Sequence, residues 1–273
     1  MEPTVIPSEP FVDIHCHLLP GIDDGSASWE ESLAMAQQMV DNGTSIAIVT
    51  PHQLGNYSHN RGDVIRHRTA QLQGWLSCNQ VPLRVLPGAD VRIDSDMLER
   101  LSSGDCLSLG DHRRHVLLEL PHELYMPVEP VLEQLQRLRL VGILSHPERN
   151  RGILRQPEVI EPLIEAGCLM QVTADSLVGE FGDEPRNLAE QIVAAGHCHF
   201  LATDAHGAKK RPPRMLRAYQ RAVELVGDEV AVAMCCRNPL AVAEDRDVEE
   251  LPSIRKPGWM SRFFTAVSGR AAA

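Results

Sequence analysis

The sequence predicts an α/β fold: a parallel sheet of seven strands, closed as a barrel, in a single domain. Three observations carry this expectation. Short apolar runs alternate with amphipathic stretches, no Pro-, Gly- or Ser-rich linker interrupts residues 11–250, and most of the runs end in histidine or a carboxylate. The runs are FVDIH (11–15), SIAIVTPH (45–52), LRVLPGAD (83–90), HVLLELP (115–121), VGILSHP (141–147), CLMQVT (168–173) and HFLATDAH (199–206). Each has the length of a buried strand bounded by polar residues. The first stretch between runs, SWEESLAMAQQMVDNG, opens with Ser28 and Glu31 in capping-box spacing and ends at Gly43. PVEPVLEQLQRLRL, PEVIEPLIEAG and EPRNLAEQIVAAG carry proline near the start, and the last two close on glycine. Strand–helix alternation places the strands parallel. The units do not resemble one another in sequence, so the repetition is architectural. Residues 1–10 read as an extension, 11–250 as the domain and 251–273 as a basic, aromatic tail.

Composition narrows the function classes. At 273 residues, 43 % hydrophobic and 23 % charged, the chain can bury a substantial core as a soluble protein. A formal charge of −11 disfavours nucleic acid as a partner. MEPTVIPSEP has neither the basic region nor the apolar core of a secretory signal, and no stretch approaches about 18 uninterrupted apolar residues. Seven cysteines without a C-x-x-C pair suit a reduced, cytoplasmic chain. Cys78 and Arg84 stand in C-x5-R spacing, as in cysteine-based phosphatases. The intervening NQVPL lacks glycine, and Pro82 removes a backbone donor, so the match reads as chance.

The polar residues at the run ends suggest a metal. His15 and His17 share one face of their strand, with Cα atoms about 7 Å apart. Asp23 and Asp24 follow closely. His52, Asp90, Glu119 and His146 close the next four runs, and Asp204 and His206 close the last. In a β/α barrel these ends meet at one mouth, where active sites form. Imidazoles and carboxylates together are a divalent-metal donor set. A second HCH, at 197–199, serves as a control: it begins its strand, so His197 and His199 belong at the opposite end. His59, His67, His112, His115 and His122 lie in helices, loops or a strand start and are read as non-ligands.

The fragments DIHCHLLPGIDDG, TPH, LPGADVRI, LLELP, SHPERN, QVTADSLVGEFG and HFLATDAH, in this order, resemble the polymerase-and-histidinol-phosphatase (PHP) superfamily. The branch they resemble is the manganese-dependent protein-tyrosine phosphatases that regulate bacterial capsule and exopolysaccharide synthesis. The resemblance implies a distorted (β/α)7, TIM-like barrel. It implies three divalent ions, with Mn²⁺ the family choice and Fe or Zn compatible with the donors, held by His15, His17, Asp24, His52, Asp90, Glu119, His146, Asp204 and His206. It further implies that Arg149 and Arg211 clamp phosphate, for which planar guanidinium groups are suited. The expected reaction is hydrolysis of phosphotyrosine by water that the ions activate, with Asp204 or His206 as a proton donor. The expected partner is a phosphotyrosyl protein, a membrane-associated tyrosine kinase. Two positions depart from the branch. Asp90 stands where Glu is usual, and Thr173, Ala174, Asp175 and Ser176 stand where T-S-G-S is usual.

Other readings stay open at this level. The ligands alone would also serve a small-molecule phosphatase acting on histidinol phosphate or a sugar phosphate. A metal-stabilised scaffold without catalysis has no need of phosphate clamps, and a polymerase-associated nuclease is disfavoured by the acidic charge. Tyr57 or Tyr125 could stack on a phosphotyrosine ring or be an ordinary surface aromatic. In the tail, Trp259, Met260, Phe263, Phe264 and Val267 could form one face of a short helix beside Arg255, Lys256, Arg262 and Arg270. That composition suits peripheral membrane contact, or packing on the chain's own domain.

Overall fold

A computed structural model describes residues 6–251. The tail from residue 252, and with it the expected membrane contact, lies outside the described residues. The strands are β1 (Phe11–Cys16), β2 (Thr44–Val49), β3 (His52–Gln53), β4 (Arg84–Pro87), β5 (Asp90–Arg92), β6 (His115–Glu119), β7 (Val141–Ser145), β8 (Leu169–Thr173) and β9 (Phe200–Ala202). All of their pairings are parallel. Among the described residues they form two sheets, β1-β2-β4 and β3-β5-β6-β7-β8-β9, and not one closed ladder.

The division has a local cause. The expected strand 45–52 breaks at Thr50 and Pro51, and the expected strand 83–90 breaks at Gly88 and Ala89. Pro51 cannot donate to a ladder, and its carbonyl instead accepts from Asp90 N at 3.2 Å. Gly88 passes so close to β2 that a Cβ there would lie 2.7 Å from Ile48 Cγ2. The first halves, β2 and β4, therefore join the sheet of β1, and the second halves, β3 and β5, join the other sheet. His52 and Asp90 consequently open β3 and β5, in register opposite each other, where the sequence suggested that they close their strands.

The two sheets share an interior. Val12 and Ile14 of β1, Ile48 of β2, Leu117 of β6, Ile143 of β7 and Phe200 of β9 pack in one buried cluster. Backbone hydrogen bonds join the sheets at their edges: Asp204 N to His15 O at 2.7 Å and His17 N to Ala205 O at 2.9 Å. The buried carboxylate of Asp13 strengthens the same seam by accepting from Thr203 N at 3.1 Å and from the Thr203 hydroxyl.

Helices fill the connections as their caps foretell. Ser28 Oγ accepts from Glu31 N ahead of helix Trp29–Asp41, while the Glu31 carboxylate turns back to Ala27 N. Gly43, at φ +93°, ends that helix in a conformation that costs glycine little. Helices Glu129–Arg137, Ile160–Glu165 and Asp183–Ala194 occupy the other amphipathic stretches. Helix Gly62–Cys78 ends at the exposed Cys78. That thiol sits at the carbonyl end of a helix, the wrong end for an anion, so the C-x5-R spacing builds no phosphate loop. No helix among the described residues is long and apolar enough to cross a membrane.

Candidate metal centre

The centre begins on β1. His15 and His17 are fully buried, and each has its Nδ1 engaged. His15 Nδ1 donates to Gln171 Oε1 at 2.8 Å, and His17 Nδ1 donates to Asp23 Oδ2 at 2.7 Å. In the neutral rings this leaves Nε2 as the free nitrogen, and both Nε2 atoms face the same point, 3.3 Å from each other and 3.3 and 3.4 Å from Asp204 Oδ1. Two ring nitrogens and a carboxylate oxygen so placed fit a cation between them, a metal ion or, at His17, the proton that it would displace.

The adjacent aspartates have separate tasks. Asp23 orients His17, and it also accepts from Gly25 N at 3.0 Å and His52 N at 3.1 Å. The chain then folds back onto β1 so tightly that a Cβ at position 25 would lie 2.4 Å from His17 O. This turn projects Asp24 towards His52 Nε2 at 3.4 Å and His206 Nε2 at 3.6 Å.

Next to it, His52 Nδ1 lies 3.3 Å from Asp90 Oδ2 and 3.6 Å from Glu119 Oε2. Asp90 is fully buried, and its Oδ2 has no hydrogen-bond partner, although His15 Nε2 is also only 3.7 Å away. An orphaned buried carboxylate oxygen among imidazoles fits a metal ligand. Asp94, the other candidate for that role, is exposed and accepts from Asp96 N within a turn. His146 follows β7 with φ +35°, and its ring centroid is 5.6 Å from that of His15.

Four overlapping sets of donor atoms result: His17, Asp24, His52 and His206; His15, Asp90 and His146; His15, His17 and Asp204; and His52, Asp90 and Glu119. All nine residues named from the sequence are brought together. None of the described histidines assigned elsewhere enters a set. His199, for one, accepts from Met170 N at the start of β9.

The electrostatics show an excess of negative charge. Burial lowers the pKa of His52, but Asp24, Asp90 and Glu119 carry it up to about 12. Burial likewise opposes protonation of His17, which Asp23 and Asp204 raise to about 9. Burial and the charge of Asp90 push Glu119 up to about 7. Burial and Arg149 hold His146 down to about 3, and burial and His17 hold His206 to about 4, so both stay neutral. Ligation must displace the protons on His17 and His52. Below pH about 9, metal uptake is therefore expected to release protons, and affinity to rise with pH. Titration calorimetry in buffers of different ionisation enthalpy would measure this release; a heat independent of the buffer would exclude it.

Arg149 and Arg211 both reach the buried Asp204. Arg149 Nη1 is 2.5 Å from Asp204 Oδ2, and Arg211 Nη2 binds the same oxygen and the Asp204 carbonyl. The Phe181 ring lies beneath both guanidinium groups, 4.4 and 5.6 Å from their carbons. Asp204 and Arg211 share the positive φ of His146, at +50° and +59°. Tyr57 stacks on His52 at 5.2 Å, which puts it at the mouth, whereas Tyr125 packs on the core against Gly152. The unusual Asp175 is paired with Arg214 at 3.2 Å, and the Glu148 carboxylate ties Ser176 Oγ and Thr173 N to the segment bearing Arg149. Asp23, Gln171, Glu148 and Phe181 were not singled out as site residues from the sequence. Asp23 and Gln171 had a visible signal, as polar residues beside or inside the runs that carry the ligands.

These features define a class: parallel α/β chains with a histidine and carboxylate donor set and paired arginines at the strand ends. The family model for capsular polysaccharide synthesis proteins CpsB/CapC matches residues 11–244, and the chain belongs to that family. It is 36 % identical over 203 residues to the tyrosine-protein phosphatase YwqE of Bacillus subtilis, covering 74 % of this chain and 79 % of YwqE. It is 29 % identical over 223 residues to the putative tyrosine-protein phosphatase CapC of Staphylococcus aureus, covering 78 % and 87 %. Among solved structures, it matches one described with YwqE from Bacillus subtilis and CpsB from Streptococcus pneumoniae as metal-dependent tyrosine phosphatases. The TM-score is 0.83 at 31 % identity, covering 89 % of this chain and all of the other.

Proposed function

We propose that the chain is a metal-dependent protein-tyrosine phosphatase in which His15, His17, Asp24, His52, Asp90, Glu119, His146, Asp204 and His206 hold the ions, three in number, with Mn²⁺ the native metal. The observation that carries this reading is the convergence of two guanidinium groups on Asp204, a member of the donor set, in a chain of the CpsB/CapC family. Divalent ions bound there would lower the pKa of water and neutralise phosphate charge. The protein's own groups do the rest. Arg149 and Arg211, already aligned on a carboxylate oxygen, offer the same donors to the equatorial oxygens of a phosphoryl group. Phe181 keeps both side chains in place from below. Tyr57 is positioned to meet the aromatic ring of the substrate.

Asp204 and His206 act in this reading as ligands and not as acids. The nearby imidazoles and Arg211 hold Asp204 ionised against its burial, and His206 Nδ1 donates to the Asp204 carbonyl at 2.9 Å, leaving Nε2 without a proton. A tyrosine phenolate, with a pKa of about 10, departs without strong acid assistance. The partner in this reading is a membrane-associated tyrosine kinase controlling exopolysaccharide synthesis, met at the cytoplasmic face. The test is turnover of a phosphotyrosyl peptide against histidinol phosphate by Mn²⁺-loaded protein, with metal content measured in parallel. Preference for the peptide is expected. A preference for histidinol phosphate would reassign the chain to small-molecule hydrolysis, and the absence of both activities in loaded protein would reduce it to a scaffold.

A further inference from the structure

Beside the metal centre lies a groove of about 610 Å³ that the reaction itself does not need. Its walls include His122, Arg149, Arg151, Arg155, Phe181 and Glu184. Arg149 marks the inner end, since it reaches Asp204. From there the chain enters helix Arg151–Arg155, which places Arg151 and Arg155 one helical turn apart on the same side.

The wall is rigidly built. Asn150 caps the helix by accepting from Ile153 N at 3.0 Å, and its amide donates to Pro121 O and Leu124 O in the loop after β6. Arg151 N donates to His122 O at 2.9 Å. The helix is pressed so closely onto that loop that a Cβ at Gly152 would lie 2.2 Å from Tyr125 N. The guanidinium groups are therefore carried on a fixed surface.

The charge of the helix-borne arginines is only weakly compensated. Arg155 is exposed and makes no ion pair among the described residues. Arg151 meets Glu123 at 3.0 Å, but both side chains are more than half exposed, and such a pair exchanges cheaply. Glu184 is the one acid lining the groove. On a chain with a net charge of −11, this groove is lined by three arginines and one acid.

We propose that this groove receives a second anionic group of the substrate, the side chain of an acidic or phosphorylated residue near the phosphotyrosine. The enzyme thereby selects protein segments with clustered negative charge. This specificity rests on the phosphatase reading above.

The experiment compares kcat/KM for phosphotyrosyl peptides of equal length carrying acidic, phosphorylated, neutral or basic neighbours, using the full chain loaded with Mn²⁺. The acidic and doubly phosphorylated peptides are expected to exceed the neutral one by about tenfold at low salt, with the gap closing as salt is added. Arg155→Glu is expected to bring that ratio to about one and to leave p-nitrophenyl phosphate turnover unchanged; Arg151→Ala should lower it by roughly fivefold or less. An unaltered ratio in Arg155→Glu, or equal rates on all peptides with wild-type protein, would overturn the proposal. Absence of turnover on every substrate would instead overturn the phosphatase reading. The groove would then be judged by fluorescence anisotropy, where Arg155→Glu must weaken binding of the acidic peptide for the proposal to stand.

Discussion

Chelation is expected to abolish hydrolysis of p-nitrophenyl phosphate and of phosphotyrosyl peptide, by about a thousandfold or more, and added Mn²⁺ to restore both. The size of the effect follows from what the centre lacks without cations. Asp23, Asp24, Asp90, Glu119 and Asp204 concentrate carboxylates around His17 and His52, and the two arginines are already committed to Asp204. Nothing in that arrangement activates a water, and its carboxylates repel an incoming phosphate. Cys78→Ser, by contrast, is expected to leave activity within about twofold, because the thiol ends a helix at the surface and surface changes of this kind act weakly. Chelated protein with full activity, together with an inactive but folded Cys78→Ser variant, would refute the metal centre.

Asp90→Ala is expected to have an effect of similar size, with loss of bound metal and of most turnover. Asp90 belongs to two of the four donor sets, so its removal weakens both. Its orphaned Oδ2 faces His15 and His52, and Ser145 Oγ lies 3.3 Å from its other oxygen. Asp94→Ala, in an exposed turn, is expected to retain wild-type metal content. Asp90→Glu is expected to keep substantial activity and to need less Mn²⁺ for full turnover, since the longer side chain reaches about 1.5 Å further from β5. Metal analysis of the three purified variants beside their rates is the measurement. Wild-type metal content in Asp90→Ala would remove the residue from the centre.

The positions of these candidate ligands were legible because strand ends are. His15, His17, Glu119, His146, Asp204 and His206 sit at or just beyond the ends of apolar runs, and parallel strands bring such ends together. His52 and Asp90 were found through the same pattern, although they occupy strand starts. The apolar runs around them read as continuous, and Pro51 and the Pro87–Gly88 step were the signs of a break. What orients the ligands was harder to read. Gln171 meets His15 across 156 residues of sequence, and Asp175 meets Arg214 across 39, distances over which spacing carries no signal. Phe181 lies in a loop, where neither period nor capping marks it. The arginine groove likewise depends on helix Arg151–Arg155 lying against the loop after β6, a contact made by packing and not by pattern.

The seam between β1 and β9 also bears on how the chain folds. Asp13 and Thr203 are 190 residues apart, and His15 and Asp204 face each other across the same junction. Closing so long a loop has an entropic cost that must be met before these contacts give anything back. The first strand finds β2 early, but its other edge waits for nearly all of the domain to be synthesised before the β9 side of the seam exists. A nascent or truncated chain that stops short of β9 lacks Asp204, His206 and Arg211, so two of the four donor sets and one of the two guanidinium groups at the centre are missing. Activity thus arrives with the last long-range contact, and an unfinished molecule is silent.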